Sequence, residues 1–256
     1  MKYTPFSDSQ ASHEHSLETL NLLAEYDSFM ESVDTLADFG CGADGLDLEW
    51  WATRHTRDDG ADRTPLNIKC TGVDLALSHP LVKKYTNVSY RRHDLEREPH
   101  RPDEFDVVWC HDSFQYMLNP IGTLRHWNAA MRVNGMLCII VPQTTNLDFT
   151  RQAFDQWDGQ YFNHTMVSLI HMLAVNGFDC KSGFFKKAIG DPWLHAVVYK
   201  SEIAPLDPRT TSWFDLAERR LLPESAVESL TKYGCVRQHD LVLPWLDKNL
   251  SWLGYE

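Results

Sequence analysis

A glycine-rich turn between a short apolar strand and a helix constrains the fold of this chain more than any other stretch. The segment 33–39 is mostly apolar, and Gly40, Gly42 and Gly45 follow it. Glycines let the backbone turn sharply and bring helix N-terminal amides close to a ligand. Asp38, just before the first glycine, indicates a ligand that carries an amine or a hydroxyl rather than only phosphates. The Gly-x-Gly-x-x-Gly spacing alone also fits dinucleotide-binding folds.

Segments typical of strands and helices alternate after this turn. The predicted strands cover residues 33–39, 68–74, 88–94, 105–111 and 136–142, with helices at about 44–55, 78–85 and 119–132 between them. A helix at about 166–176 then precedes a terminal antiparallel pair of strands, 178–186 and 193–200. Strands that alternate with helices at this spacing form a parallel sheet covered on both faces. The chain is therefore predicted to have an α/β fold with a doubly wound, Rossmann-like, mostly parallel sheet.

The α/β pattern is the middle one of three predicted regions. Residues 1–32 form an N-terminal cap, polar up to residue 15 and helical at about 16–30, and the α/β domain covers 33–202. Residues 203–256 lose the alternation and contain short amphipathic segments near 211–222, 223–233 and 244–253. We expect this helical C-terminal appendage to pack on the core or to form a homodimer.

Composition argues against several classes of protein. The net charge of -12 disfavours nucleic acid as a partner, because neutralising phosphates needs clustered Lys and Arg. No stretch approaches the roughly 18 consecutive apolar residues of a membrane span, and the N-terminus lacks the apolar core of a signal peptide. The six cysteines are widely spaced, which predicts free thiols in a reducing cytoplasm.

A His-x-His pair, His13 and His15, lies in the polar N-terminal segment and could bind a metal ion. No third ligand is evident nearby in the sequence, whereas a protein zinc site needs at least three protein ligands. We therefore interpret the pair as part of a solvated segment and predict no metal site.

Polar residues stand at the carboxyl ends of the predicted strands, where the ligands of a doubly wound sheet bind. Asp74 ends the second strand and could accept hydrogen bonds from both hydroxyls of a ribose. Asp94 and the apolar Leu95 follow the third strand and suit an adenine amino group and a neighbouring apolar contact. Asp38 and the glycine turn would then face an amino-acid group. Together these residues predict a pocket for an adenosine that carries an amino acid.

The order of these segments resembles the class I S-adenosylmethionine-dependent methyltransferases of the small-molecule type (methyltransferase type 11-like). The likeness runs from about Leu36 to Lys200. Five segments carry it: 38–45 look like the first motif of that family, 72–74 like its second-strand acid, 93–95 like its adenine motif, 105–111 like its fourth-strand motif and 127–137 like its Arg-Val-Leu-Lys-Pro-Gly-Gly run. Asn134 in place of Lys-Pro and Met136 in place of the second glycine depart from the pattern, at a turn rather than at the cofactor.

The resemblance implies a seven-stranded sheet with an antiparallel last strand and S-adenosyl-L-methionine as the cofactor. The residues that it implies for cofactor binding are Asp38, Gly40, Cys41, Gly42, Asp74, Leu75, Asp94, Leu95, Cys110 and His111. A dinucleotide such as NAD or FAD would fit the glycine turn and the second-strand acid, but the likeness at strands three to five favours the methyltransferase.

Methyl transfer from a sulfonium mainly requires alignment of the acceptor, and a general base helps when the acceptor is a hydroxyl. His111, at the end of the fourth strand, is the best-placed candidate base, although it could also line the cofactor pocket without moving a proton. Asp112 could orient that histidine or cap the next turn, and Tyr116 could touch the ligands or pack in the core. His164 follows an aromatic-rich run and fits either a catalytic role or a surface loop.

The acceptor is predicted to be a small, partly apolar molecule that is methylated on an O or N atom. The aromatic-rich segment 149–162 suits such a molecule, although its rings could instead pack on the sheet. The DNA-methylating branches are disfavoured, because no Asn/Asp-Pro-Pro-Tyr/Phe follows the fourth strand and Cys110 is not preceded by proline. His171 and His195, in a predicted helix and strand, are interpreted as structural. The alternative function is a cofactor-binding pseudo-methyltransferase that acts as a regulatory or assembly module.

Overall fold

Seven strands form one mixed sheet in the computed structural model, which describes residues 9–54, 65–75, 80–143, 162, 164–187 and 193–246. The strands are β1 (Thr35–Phe39), β2 (Lys69–Asp74), β3 (Val88–Arg92), β4 (Phe105–His111), β5 (Met131–Pro142), β6 (Phe178–Lys187) and β7 (Trp193–Lys200). The helices are α1 (Ser9–Leu23), α2 (Asp27–Glu31), α3 (Leu46–Ala52), α4 (Leu81–Lys84), α5 (Pro120–Ala130), α6 (Met166–Val175), α7 (Trp213–Glu218) and α8 (Glu224–Tyr233).

The strand order is β3-β2-β1-β4-β5-β7-β6, with β7 antiparallel to both of its neighbours and the other pairs parallel. The winding therefore changes direction between β1 and β4, and a ligand crevice is expected beyond the carboxyl ends of these strands. Asp38 of β1 is in register with Gly72 of β2 and with Trp109 of β4. This topology confirms the predicted seven-stranded sheet with an antiparallel last strand.

Alternate residues of the central strands pack on opposite faces of the sheet, as the pleat requires. On one face, Phe39 and Val108 pack with buried side chains of α5 and α6, and we call this the α5 face. On the other, Leu36 and Trp109 pack with buried side chains of α1 and α3, and we call this the α1 face.

Several boundaries differ from the predicted ones. The first helix begins at Ser9 rather than near residue 16 and is followed by the short α2, so part of the polar segment before residue 16 is helical. β5 begins at Met131, inside the predicted helix, and its pairing with β4 shifts between Phe105 and Val107. Asn134, with a φ of 64°, lies within this irregular part of β5. Residues 244–246 are not helical, and the remainder of the predicted 244–253 helix lies outside the described residues.

Residues 205–246 wrap around the outer edge of the sheet. The amides of Cys180 and Phe185 in β6 donate to the carbonyls of Leu221 (3.0 Å) and Pro244 (2.8 Å). Buried apolar residues of the same segment join both cores: Leu241 and Leu243 on the α5 face, and Trp245 and Leu246 on the α1 face. The segment thereby covers the outer edge of β6, which would otherwise expose unpaired backbone groups. Packing on the core is one of the two arrangements that we predicted; a homodimer and the three-region division stay predictions.

None of the described helices is long and apolar enough to cross a membrane. All six cysteines carry free thiols, and all but Cys235 are buried. The free thiols confirm that part of the prediction, and the cellular compartment stays a prediction.

Trp245→Ala should destabilise the whole fold. Trp245 is 4% exposed, and its ring centroid lies 5.7 Å from that of the buried His195. Truncation leaves a cavity between the C-terminal segment and the sheet, and such losses cost about 3–5 kcal/mol. Urea unfolding measures the change in the free energy of unfolding. Val242→Ala, at a 54% exposed position of the same segment, is the control and should change it by less than about 0.5 kcal/mol. Equal unfolding midpoints for Trp245→Ala and the wild type would contradict this packing.

Candidate functional site

The glycine turn leaves the carboxyl end of β1 and passes between β2 and the segment after β4. The Gly40 amide donates to the Val73 carbonyl (2.8 Å), and the Gly40 carbonyl accepts from Ser113 Oγ (3.1 Å). Gly40 has a φ of +79°, and a Cβ at this position would lie 2.0 Å from Ser113 Oγ. The dihedral angle and the close approach both exclude a side chain, which explains the glycine.

Asp38 is the buried acid of the site. It is 3% exposed, and its Oδ2 has no hydrogen-bond partner among the described residues. Burial raises the pKa of Asp38 well above its usual range, the carboxylates of Asp47 and Asp74 raise it further, and a hydrogen bond from the Leu48 backbone opposes the shift only in part. A buried polar atom without a partner costs free energy. A ligand with a cationic amine would donate a hydrogen bond to Asp38 Oδ2, and its positive charge would stabilise the Asp38 carboxylate.

Asp74 lies at the end of β2, beside the glycine turn. Its Oδ2 accepts a hydrogen bond from the Gly42 amide (3.1 Å), which ties the turn to the second strand. Asp74 is half-buried, and Leu75 after it is 62% exposed. Both residues therefore lie where the crevice opens to solvent.

Asp94 and Leu95 lie one strand further along the same edge. β3 pairs with β2 as far as Asp74, so these two residues follow just beyond the neighbouring strand end. Asp94 Oδ1 accepts hydrogen bonds from the backbone amides of Glu96 (3.0 Å) and Arg97 (3.2 Å), and Leu95 is buried. The structure thus brings the acids of the first three strands to one edge, and it gives Asp94 a turn-capping role that sequence reasoning missed.

The two cysteines predicted at the cofactor site have inert thiols. Cys41 and Cys110 are both buried, and Cys110 packs within the core of the α5 face. Burial raises the pKa of both thiols, and the nearby Asp38 raises it further. Neither side chain is a thiolate at neutral pH, so a role for Cys110 in cofactor binding would have to use its backbone.

The carboxylate of Asp47, in the first turn of α3, contacts His111. The Nδ1 of His111 lies 2.9 Å from Asp47 Oδ2, which also accepts a hydrogen bond from Trp109 Nε1 at 2.9 Å. The other oxygen, Oδ1, accepts from Ser16 Oγ at 2.6 Å and lies 2.5 Å from His13 Nδ1. Burial by itself would raise the pKa of Asp47, but the hydrogen bonds from His111, His13 and Ser16 outweigh it and hold the pKa below its usual range. Asp47 is therefore ionised although it is 7% exposed.

Sequence reasoning missed Asp47 and assigned His13 wrongly. Asp47 precedes the buried Trp51 by one helical turn, and this i, i+4 spacing is the signal that places it on the inward face of α3. The interpretation of His13 as part of a solvated segment is wrong, because α1 brings its ring against Asp47. Asp112 Oδ1 accepts from Gln115 Nε2 (2.6 Å) in the turn after β4, and the carboxylate that orients the candidate base is Asp47 instead. Among the described residues, no group of three or more His, Cys, Asp or Glu side chains could hold a metal ion.

His164 is buried beside the ends of β4 and β5, so of its two predicted alternatives the surface loop is wrong. It is 1% exposed, pairs with Gln143 just beyond β5, and stacks on Phe114 with a centroid distance of 5.2 Å. Its Nε2 has no hydrogen-bond partner within the described part of the chain, and burial lowers the pKa of His164 to about 4. Phe114 belongs to the α5 face, whereas His111 contacts residues of the α1 face, so the two predicted catalytic histidines have different surroundings. A catalytic role for either stays a prediction, and the aromatic-rich segment 149–162, apart from Phe162, lies outside the described residues.

A family model described as a methyltransferase domain matches residues 10–179, which is most of the chain. The chain therefore belongs to this methyltransferase family, as the motifs at its strand ends implied. Methyltransferase families of this kind typically bind S-adenosylmethionine. A search of curated proteins found no match for the sequence.

Solved structures with low sequence identity share the fold. A Listeria monocytogenes protein assigned as an S-adenosylmethionine-dependent methyltransferase is 19% identical, with a TM-score of 0.52 over 75% of this chain and 99% of its own. A Galdieria sulphuraria protein assigned as a sarcosine dimethylglycine methyltransferase is 11% identical, with a TM-score of 0.55 over 74% and 88%. The [4+2]-cyclase SpnF is 16% identical, with a TM-score of 0.54 over 72% and 81%. These likenesses confirm the predicted fold and carry no further functional conclusion, since a cyclase shares it.

Two buried neutral histidines should make the protein less stable as the pH falls. From the ordinary value of 6.5, burial lowers the pKa of His164 to about 4, and burial followed by the charge of Lys186 lowers that of His195 to about 3. Between these values and 6.5 the unfolded chain binds protons that the folded chain does not, so the free energy of unfolding decreases as the pH falls through this window. Near pH 5 the expected loss is about 2 kcal/mol for each histidine. Urea unfolding at a series of pH values measures it.

His164→Phe isolates the contribution of one ring. Phenylalanine preserves the stacking on Phe114 but cannot take up a proton, so the variant should lose one histidine's share of the pH dependence. His239→Gln, at an exposed position, is the control and should keep the wild-type dependence. A His164→Phe protein with the full wild-type dependence would show that His164 is not held neutral by the fold.

Proposed function

We propose that the chain is an S-adenosylmethionine-dependent methyltransferase that transfers a methyl group to an O or N atom of a small-molecule acceptor. The observation that carries this proposal is Asp38, a buried carboxyl group beside the glycine turn with one oxygen that lacks a partner in the described part of the chain. The match to a methyltransferase domain supports it. The buried free thiols support the cytoplasm as the location.

The residues along the carboxyl edge of the sheet suit the parts of the cofactor. The Asp38 carboxyl group would bind the ammonium of the methionine part, and Asp74 would bind the ribose hydroxyls. Asp94 and Leu95 would meet the adenine, and because Asp94 Oδ1 already accepts two backbone amides, the adenine would meet a carboxylate that is fixed in place. The remaining proposed contacts come from Gly40, Cys41, Gly42, Leu75, Cys110 and His111.

The bound cofactor supplies a methyl group on a positively charged sulfur. The contribution of the chain is to align the acceptor and, for a hydroxyl acceptor, to remove its proton. The contact between His111 Nδ1 and Asp47 implies that Nδ1 carries the proton, which leaves Nε2 as the basic nitrogen. We therefore assign the general base to His111. His164, which burial keeps neutral at the end of β5, is assigned to the wall of the acceptor pocket.

Calorimetric titration with S-adenosylhomocysteine tests the cofactor site. Asp38→Asn removes the charge that would face the ammonium, and Asp74→Ala removes the ribose acceptor; each should weaken binding about tenfold or more. In the wild type, binding should release a proton at pH values below the raised pKa of Asp38, because an ammonium group favours the carboxylate. Affinity should therefore rise with pH until that pKa is passed. Titrations in buffers of different ionisation enthalpy count the proton, which Asp38→Asn should no longer release.

Asp34→Asn is the matched control, since Asp34 is exposed and precedes the other end of β1. It should bind S-adenosylhomocysteine like the wild type and release the same proton. Wild-type affinity and proton release in Asp38→Asn would refute the placement of the ammonium, and unchanged affinity in Asp74→Ala would refute the placement of the ribose.

Methyl transfer is tested by incubating the protein with radiolabelled S-adenosylmethionine and a library of small hydroxyl and amine acceptors. We expect a product methylated on O or N, and for a hydroxyl acceptor His111→Ala should lower kcat by about 10²- to 10⁴-fold. His239→Ala, at an exposed histidine, is the control. Cofactor binding without transfer to any acceptor would instead support a cofactor-binding pseudo-methyltransferase.

A further inference from the structure

The polar cluster around Asp47 belongs to none of the predicted cofactor motifs. Its carboxylate contacts His13 and Ser16 of α1, and it also contacts Trp109 and His111 of β4. A carboxylate this deeply buried is stable in its ionised form when donors satisfy its lone pairs, and here each oxygen has two partners. α1, α3 and β4, which are distant in sequence, therefore meet at one buried carboxylate.

α1 is held on the sheet by polar contacts as well as by its apolar side. Thr19 Oγ1 lies 2.8 Å from His195 Nδ1 on β7, and Glu18 forms an ion pair with Lys186 on β6. One to two turns earlier, Ser16 and His13 reach the carboxylate that contacts the proposed base. The amino-terminal half of α1 and the proposed base His111 thus contact the same carboxylate, that of Asp47.

Other charged and titratable groups interact with this cluster or with its neighbours. Asp38 on β1 interacts electrostatically with Asp47, and His195 on β7 interacts with His111. His15 on α1 and Lys186 on β6 interact with His195, and Glu18 on α1 pairs with Lys186. Asp47 places its negative charge directly against the His111 ring, so it stabilises the imidazolium that forms when this ring takes up a proton. A neutral side chain at position 47 would hold the ring without this stabilisation.

We propose that Asp47 is a positioning residue for methyl transfer: it holds His111 in the tautomer with a basic Nε2 and, through His13 and Ser16, couples that tautomer to the docking of α1. The proposal rests on the proposed function with His111 as the base. In the step that it serves, the acceptor oxygen forms a bond to the methyl carbon while the carbon–sulfur bond breaks. The electron pair stays on sulfur, and the acceptor proton passes to His111 Nε2.

Asp47→Asn tests the proposal by kinetics. The Asn side chain has the shape of Asp47 but carries no negative charge. One of its two polar atoms is an N–H group, which faces groups that donate to Asp47 in the wild type. For a hydroxyl acceptor we expect kcat to fall by about 10²-fold or more and KM to change by less than about threefold.

Two further substitutions separate positioning from stability. Thr19→Val loosens α1 at its contact with His195 and leaves Asp47 untouched, so it should lower the thermal midpoint but leave kcat in place. His13→Gln keeps a donor to Asp47 and should retain most of kcat, whereas His13→Leu should not. Equal losses of kcat in Asp47→Asn and Thr19→Val would show that Asp47 is merely structural and would overturn the proposal.

The tautomer of His111 is measured without turnover by NMR of 15N-labelled imidazoles in the full chain, assigned by the signal missing in His111→Gln. We expect the Nδ1–H tautomer in the wild type and its loss in Asp47→Leu, which leaves Nδ1 without an acceptor at this position. Asp47→Asn should keep the tautomer, because its amide oxygen stays on the side of Trp109 Nε1, which can only donate. An Nε2–H tautomer in the wild type would overturn the proposal whether or not methyl groups are transferred. Full kcat in both Asp47→Asn and Asp47→Leu would overturn this proposal alone. The expected tautomer in a chain that methylates no acceptor would overturn the proposed function, and the catalytic purpose of Asp47 with it.

Discussion

The burial of negative charge at the carboxyl end of β1 is the constraint on which the rest of the site depends. Asp38 and Asp47 are both enclosed, and the charge of Asp47 contributes to the raised pKa of Asp38. Protein groups contact both oxygens of Asp47, whereas one oxygen of Asp38 lacks a partner in the described residues. An unpaired buried charge costs several kcal/mol, so burial favours the protonated form of Asp38 and raises its pKa until a cation reaches it. This difference between two neighbouring acids distinguishes Asp47, whose oxygens are satisfied within the protein, from Asp38, the proposed ligand site.

The sheet could be predicted because short, contiguous segments of the sequence determine its strands. β1, β4 and β5 are apolar runs between turn residues, and their alternation with helices determines a parallel sheet with few allowed topologies. The start of β5 could not be predicted in the same way. Asn134 and Gly135 are typical of a helix end, but here they lie where the pairing of β4 with β5 shifts by several residues. Asn and Gly occur both at helix ends and at irregular positions of strands. Here the pairing of β5 with β4 determines that they lie within a strand.

The acids of the candidate cofactor site could also be predicted, since parallel strands bring their carboxyl ends to one edge whatever the details of packing. Asp47 and His13 could not, because their contact joins positions 34 residues apart and depends on how α1 crosses α3. The amino-terminal boundary of α1 was hidden for a related reason. Its buried face includes Ser16 and Thr19, and buried polar residues weaken the apolar stripe by which a helix is recognised in sequence.

The polar attachment of α1 has an energetic consequence for the site. A hydrogen bond contributes a net ~0.5–1.5 kcal/mol, much less than the cost of leaving its buried partner unsatisfied. The contacts of His13 and Ser16 therefore add modest stability while α1 is docked, but undocking α1 would leave Asp47 with fewer donors and its charge less well satisfied. The family match begins at residue 10, so nearly all of α1 lies within the matched methyltransferase domain. The Asp47 carboxylate needs the donors that α1 supplies, and the same carboxylate contacts His111. The position of α1 is therefore linked to the orientation of His111.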